Sequence, residues 1–176
     1  MSLVSGPRRN RQIVLMQIVN ATSQDLDGWL HLAGEVEALF GPMVDEPEFH
    51  QALLRNIRRS TALCVRLEDG PSGVPLIGGL LFSPHPPRYV IAWLVVTGNA
   101  RNEGIGRELL RAALRLFVHY PATLEVETFG LDHPGARSRR FYEQLGFLAA
   151  ETCPPGPEGG SRQMFRLDLD SAPVWL

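Results

Sequence analysis

The sequence predicts an α/β (α+β) fold: a mixed, mostly antiparallel central sheet of about six to seven strands, flanked by helices on both faces. Two observations carry this prediction. After a first strand the apolar residues keep helical spacing from about residue 23 to 60, then fall into strand-length runs between residues 61 and 96. From there to the end, helices and strands alternate, which adds a strand–helix–strand crossover to an antiparallel set. The 176 residues suit one domain, assigned to 11–176 behind a polar, flexible N-terminus at 1–10. A domain of that size buries enough apolar surface to stand without disulfide staples.

Arg11–Val19 reads as the first strand, on Ile13, Val14, Leu15, Ile18 and Val19. A helix follows, with Ser23 as its cap and Asp25 and Asp27 in the first turn, where carboxylates suit the helix dipole. Leu26, Leu30, Leu32, Val36, Leu39 and Phe40 form its apolar stripe, and Gly41-Pro42 ends it. Pro47–Ser60 reads as a second helix, striped by Phe49, Leu53, Leu54 and Ile57. Thr61–Leu67, Leu76–Phe82 and Tyr89–Val96 read as three strands, separated by turn chemistry at Asp69–Gly73 and Ser83–Pro87. A long helix covers about Gly104 to Tyr120, with Leu109, Leu110, Ala113, Leu114 and Phe117 on one side. Leu124–Phe129 is a strand, and Ala136–Leu145 a helix stopped by Gly146. Phe147–Ala150 and Met164–Leu169 close the sheet, joined through a mobile loop at Pro154–Gly160.

The formal net charge of -2 offers no basic excess to attract nucleic acid or an anionic membrane. All 17 basic residues are arginine. With no lysine, Schiff-base chemistry is excluded, and a phosphate must be gripped by arginine or by backbone N–H groups. Cys64 and Cys153 form no metal-ligand or redox spacing. Cys64 reads as a buried free thiol, and Cys153 as exposed. No His/Cys/Asp cluster suggests a metal. No long apolar segment or signal-peptide core is present, and with free thiols this points to the cytoplasm.

The informative segment is Trp93-Leu94-Val95-Val96-Thr97-Gly98-Asn99-Ala100-Arg101-Asn102-Glu103-Gly104-Ile105-Gly106-Arg107. An apolar strand leads through a short loop into a helix opened by two glycines. Glycines admit a ligand close to the backbone, and a helix start offers unpaired N–H groups and a positive dipole end. That combination suits a pyrophosphate. A P-loop is excluded by the missing lysine, and a dinucleotide fingerprint by the missing third glycine.

Arg101-x-x-Gly104-x-Gly106, following Leu94–Val96, resembles the coenzyme A-binding motif of the GNAT acetyltransferases. Arg140-Phe141-Tyr142-Glu143-Gln144-Leu145-Gly146-Phe147 resembles that family's downstream F-Y-E-x-x-G-F segment. The specific resemblance covers about Tyr89–Phe147. It implies that Arg101, Asn102, Glu103, Gly104, Ile105, Gly106 and Arg107 wrap the pyrophosphate of acetyl-CoA, while main-chain groups of Leu94, Val95 and Val96 meet the pantetheine arm. Two departures stand out. Asn102 and Glu103 replace a usual glycine and a usual basic or amide residue. A carboxylate ~5 Å from a phosphate charge costs roughly 3 kcal/mol at an effective dielectric of about 20, so Glu103 is expected to point away. Gly135 replaces a frequent asparagine, leaving a pantetheine-side hydrogen bond to Ser138 or to nothing.

The resemblance implies that Tyr142 is the general acid for the departing sulfur; the alternative is an aromatic that only packs beside Phe141. Glu125, in Leu124-Glu125-Val126, matches a glutamate that serves as base in relatives modifying protein N-termini. Glu127 lies on the same strand face and is the substitute. Both equally suit a solvated strand face. His119 and His133 are weaker candidates. The acceptor, an amine of a small molecule or peptide, is not identified by sequence. Asp45, Glu46 and Glu48 either attract it or serve the second helix. Trp29, Phe40, Phe82 and Trp93 either wall its pocket or belong to the core. A non-catalytic acyl-CoA-binding sensor is the alternative function, and exposed strand edges leave a monomer or homodimer open.

Overall fold

The structure is a computed structural model that describes residues 16–176. The expected loose segment at 1–10, and the first strand's expected start at Arg11, lie outside the described residues. Seven strands form one sheet: β1 (Ile18–Asn20), β2 (Ala62–Arg66), β3 (Leu76–His85), β4 (Arg88–Val96), β5 (Ala122–Phe129), β6 (Leu148–Cys153) and β7 (Arg162–Leu169). Their order is β1-β2-β3-β4-β5-β7-β6. Every pairing is antiparallel except β4 with β5. Around them pack α1 (Leu26–Gly34), α2 (Glu37–Phe40), α3 (Pro47–Arg58), α4 (Ile105–Phe117) and α5 (Arg139–Gln144). No helix among the described residues is long and apolar enough to cross a membrane.

The sheet separates two cores. On one face, Leu109, Leu110, Ala113 and Leu114 of α4 meet Leu80, Ile91, Leu124, Val126 and Phe165. On the other, Trp29 and Leu32 of α1 and Leu53 of α3 meet Ala62, Cys64, Leu81, Trp93 and Val95. Two adjacent glycines in β3 let both layers close. A Cβ on Gly78 would stand 2.9 Å from Ile105, and one on Gly79 would stand 2.6 Å from Trp29. Consecutive strand residues face opposite ways, so one dipeptide serves both faces.

Three expectations need correction. The first helix is broken: Val36 adopts φ -121°, outside the helical region, and separates α1 from α2. The break buries Val36 and redirects the chain so that Phe40 meets Phe129 at the end of β5, ring centroids 4.6 Å apart. The cap is Thr22 and not Ser23, and Asp25, in the first turn as expected, does more than face the dipole. It is fully buried and accepts hydrogen bonds from Arg66 Nε at 3.0 Å and Nη2 at 2.8 Å, from Thr22 N–H at 2.8 Å and from Gly73 N–H at 3.0 Å. Finally, β3 runs on through Ser83–His85 and pairs with Arg88–Val90, which leaves only Pro86 and Pro87 to turn the hairpin.

β4 carries a bulge. Leu81 pairs with Trp93 and Phe82 with Ile91, so Ala92 is an extra residue. A bulge reverses the alternation of faces. Ile91 accordingly lies in the α4 core, and Trp93 two positions on lies in the α1 core.

Candidate active site

β4 and β5 pair over only three residues, Arg88–Val90 with Thr123–Glu125. Beyond these, β4 stays with β3 as far as Val96, while β5 stays with β7 as far as Phe129. The two strands therefore diverge, and facing backbone edges are left without a strand partner. The bulge at Ala92 sits just past the last paired residue, at the apex of this gap. Leu94 and Val96 pack toward the α4 core and Val95 toward the α1 core, so β4 offers its main chain to the gap while its side chains serve the layers.

At the open end of the gap lies the loop 97–104, which enters α4. Asn102 has φ 65° and Gly104 φ 86°. Asparagine tolerates the left-handed region better than most residues, which accounts for its standing where the resemblance suggested glycine. A Cβ on Gly104 would meet nothing within 4 Å, so glycine is needed there for backbone conformation and the space above it is open. Glu108 N–H makes the bond to Gly104 carbonyl that starts α4, at 3.1 Å. The N–H groups of Ile105, Gly106 and Arg107 precede it and lack helical partners. Gly106 lets α5 approach, since its Cβ would stand 3.4 Å from the Phe141 ring. Arg101 Nε donates to Val96 carbonyl at 3.1 Å. Asn102, Glu103 and Arg107 are exposed, and Ile105 is buried. A cradle of left-handed residues, open space and free N–H groups fits the pyrophosphate of a coenzyme.

Tyr142 of α5 is 7% exposed and packs edge-on against Phe141 and Phe147, at 5.0 and 5.5 Å. Burial pushes its hydroxyl well above the ordinary tyrosine range, so it stays protonated. Ser138 Oγ lies 3.1 Å from Thr128 Oγ1 and donates to Gly135 carbonyl at 3.1 Å, which fixes the start of α5 onto β5.

Glu125 and Glu127 face the α1 side of the sheet, opposite Tyr142. Their fates differ. Glu125 is 7% exposed and accepts from Arg166 Nε at 2.7 Å; Arg88 Nε stands 3.9 Å away. Arg166 is shared with Glu151. These four residues form a charge ladder across β4, β5, β7 and β6. Glu127 is exposed, and among the described residues no arginine or histidine pairs with it. It is level with the bulge, where β4 has left β5.

The remaining candidates are sorted by position. His119 follows α4 at its far end, about 20 Å of helix from the loop, and its N–H donates to Tyr89 Oη at 3.0 Å. His133 is buried, stacked on Phe129 at 4.3 Å, and its Nε2 lies 3.1 Å from Glu158 Oε1. Glu158 also pairs with Arg162, whose guanidinium covers Phe129 at 4.8 Å. This fastens the Pro154–Gly160 loop over the end of β5. Trp29, Phe82 and Trp93 are core, while Phe40 is half-buried against Phe129. Glu46 and Glu48 open α3, and with Asp45 they are exposed. Cys64 is buried, and burial together with the nearby Asp25 charge pushes its thiol up to about 12. Cys153 is half-buried beside Glu127 rather than exposed. No group of three metal-binding side chains occurs among the described residues. The divergence of β4 from β5, the bulge and the shared guanidinium of Arg166 were not foreseen from sequence.

A family model described as the acetyltransferase (GNAT) family matches residues 29–147. Comparison with curated protein sequences gives no match. Among solved structures, the chain is similar to the ribosomal-protein-alanine N-acetyltransferase from Brucella melitensis, with 22% identity, a TM-score of 0.64, and 88% of this chain and 100% of that one covered. It is similar to the PaiA N-acetyltransferase from Thermoplasma acidophilum in complex with coenzyme A, at 16% identity and TM-score 0.66, covering 87% and 98%. It is also similar to Arabidopsis thaliana Naa50 in complex with the bisubstrate analogue CoA-Ac-MVNAL, at 14% identity and TM-score 0.65, covering 89% and 100%. These likenesses establish a shared fold. With a family model spanning more than half of its length, the chain belongs to the GNAT acetyltransferases, enzymes that move an acetyl group from acetyl-CoA to an amine.

Proposed function

We propose that this enzyme transfers acetyl to a primary amine of a small molecule or peptide by direct attack, without a covalent enzyme intermediate. The observation that supports it is that the candidate acid and bases lie on opposite faces of the sheet: Tyr142 in the α4-side core, Glu127 and Glu125 on the α1 side. Acetyl-CoA supplies an activated thioester. Asn102–Arg107 cradle its pyrophosphate, Arg101 adds positive charge, Glu103 points to solvent, and the main chain of Leu94–Val96 lines its arm. Ser138 holds the floor between β5 and α5. The amine enters from the α1 side, past Phe40 and Trp93. Glu127 accepts the amine proton, because among the described residues no arginine or histidine neutralises its carboxylate, whose side-chain neighbour is the Cys153 thiol, and it is level with the apex. Glu125 holds the strand through Arg166 and is second in line. Tyr142 donates its proton to the departing sulfur, whose own proton affinity rises in the same buried setting.

Naa50 was captured with a peptide-bearing analogue, and the Brucella enzyme is named for a protein alanine. Peptides beginning with alanine and methionine therefore belong in the acceptor panel beside polyamines and amino sugars. Thiol release from acetyl-CoA, measured over that panel, tests the proposal. Wild type should release thiol only with an acceptor, and Tyr142→Phe should lower kcat by about 10²–10⁴-fold at unchanged melting temperature. Coenzyme binding with no release on the whole panel would favour a sensor instead.

A further inference from the structure

The coenzyme loop is held from outside by the helices of the opposite layer. Glu35, at the end of α1, accepts the Thr97 hydroxyl at 2.7 Å and the Gly98 N–H at 2.9 Å. Thr97 caps the turn Gly98–Ala100, yet its own side chain makes no capping bond there. Glu35 satisfies that turn from 62 and 63 residues away. Two positions on, Glu37 accepts the N–H groups of Met43 and Val44, both at 2.7 Å. This second carboxylate shapes the segment joining α2 to α3. The helices that this segment joins reach the proposed amine side of the gap, α2 through Phe40 on Phe129 at 4.6 Å and α3 through Phe49 on Trp93 at 5.9 Å. Burial pushes Glu35 up, but the Thr97 hydroxyl and Gly98 N–H outweigh it and hold the carboxyl below its ordinary range. The N–H groups of Val44 and Met43 lower Glu37 likewise. Both clamps are therefore ionised at neutral pH.

We propose that Glu35 and Glu37 are positioning residues, and that the α1–α2 junction between them links the two halves of the site. One carboxylate fixes the coenzyme loop and the other fixes the amine-side segment. Only Val36, anchored in the α1 core, separates them. Coenzyme binding thereby orders the amine side as well. The inference rests on reading Thr97–Gly106 as the coenzyme loop.

Charge alone predicts the opposite sign for one perturbation. Glu35 stands near Arg101 and places a negative charge beside an anion site. If only that charge mattered, Glu35→Ala would tighten coenzyme binding. If the clamp matters, it weakens binding, since hydrogen bonds to charged groups are the strong ones.

The experiment pairs CoA titration calorimetry with hydrogen exchange on the full chain. In wild type, CoA should slow exchange at Met43 and Val44 as well as in the loop. Glu35→Ala should weaken CoA about tenfold, equivalent to ~1.4 kcal/mol, and abolish the slowing at Met43 and Val44. Thr97→Ser keeps the hydroxyl and should bind as wild type does. Thr97→Val removes one of the two bonds and gives a milder variant should Glu35→Ala fold poorly; it should bind CoA measurably more weakly. Undiminished CoA affinity in both Glu35→Ala and Thr97→Val overturns the link. So does a wild type that binds CoA without any change at Met43 and Val44. A wild type that binds no CoA overturns the coenzyme-loop reading itself, and the link with it.

Discussion

Asp25→Asn tests whether the buried ion pair under α1 governs the stability of the amine-side layer. The two carboxylate oxygens accept from Arg66 twice, from Thr22 and from Gly73. An asparagine must turn its NH₂ group toward donors whichever way it lies. With NH₂ in place of Oδ1, Arg66 Nε and Gly73 N–H lose their acceptor. Removing one partner of a buried ion pair costs roughly 3–5 kcal/mol. The part that depends on ionisation follows from the proton affinity. Burial raises it, but the Arg66 guanidinium and the N–H groups of Thr22 and Gly73 more than reverse this, to about 2 from 3.8. That shift is worth about 2 kcal/mol at neutral pH. Because the folded value lies below the unfolded one, this stability is fully present above about pH 4 and is lost as pH falls toward 2; about half is gone by pH 3. The assay is urea unfolding of both proteins at several pH values between 7 and 3, read as midpoints at constant slope. The difference between them should be largest at pH 7 and shrink by about 1 kcal/mol at pH 3. A difference that stays constant over this range would refute the reasoning, because asparagine does not titrate.

Three further outcomes are expected. Gly79→Ala drives a methyl against Trp29 and should destabilise by about 1–3 kcal/mol in chemical denaturation; a neutral result would mean that α1 shifts freely on the sheet. Gly104→Ala places a side chain at φ 86°, a strain of about 1–2 kcal/mol relieved by leaving the binding shape. The KM for acetyl-CoA should rise about tenfold with kcat little changed, and an unaltered KM would sink the role given to this backbone. Glu127→Gln should lower kcat/KM by about 10²–10⁴-fold, whereas Glu125→Gln should act mainly on stability, by removing one of the two carboxylates that Arg166 bridges. The reverse order, seen in parallel kinetics and melts, would hand the proton-accepting role to Glu125.

The element order was readable from sequence because it rests on local pattern. Leu109, Leu110, Ala113 and Leu114 mark the buried side of α4, and Gly104 marks its start, since a left-handed φ of 86° favours glycine. What escaped depends on partners distant in the chain. Tyr89–Val96 is apolar throughout, so nothing in it betrays an extra residue at Ala92. The stripe Leu32–Val36–Phe40 keeps helical spacing across the break, because Val36 remains buried either way. Asp25 looked like a helix-start carboxylate, and Arg66, its partner 41 residues on, carries no mark of the pairing. His133 sits in a loop where sequence allowed it to line the cleft; instead it stacks on Phe129 and bonds Glu158, which Arg162 also holds.

The carboxylates of β5 show why face and register are separate pieces of information. A period of two puts Glu125 and Glu127 on one face, and sequence can say no more. Their difference arises from where β4 stops pairing. Glu125 is opposite Val90, the last paired residue, and Arg166 of β7 reaches it on the other side. One pleat further, β4 has turned away, so Glu127 keeps Met164 of β7 on one side and borders the gap on the other. The bulge lies at that level, since Ala92 is the extra residue just past Val90, where pairing with β5 ends.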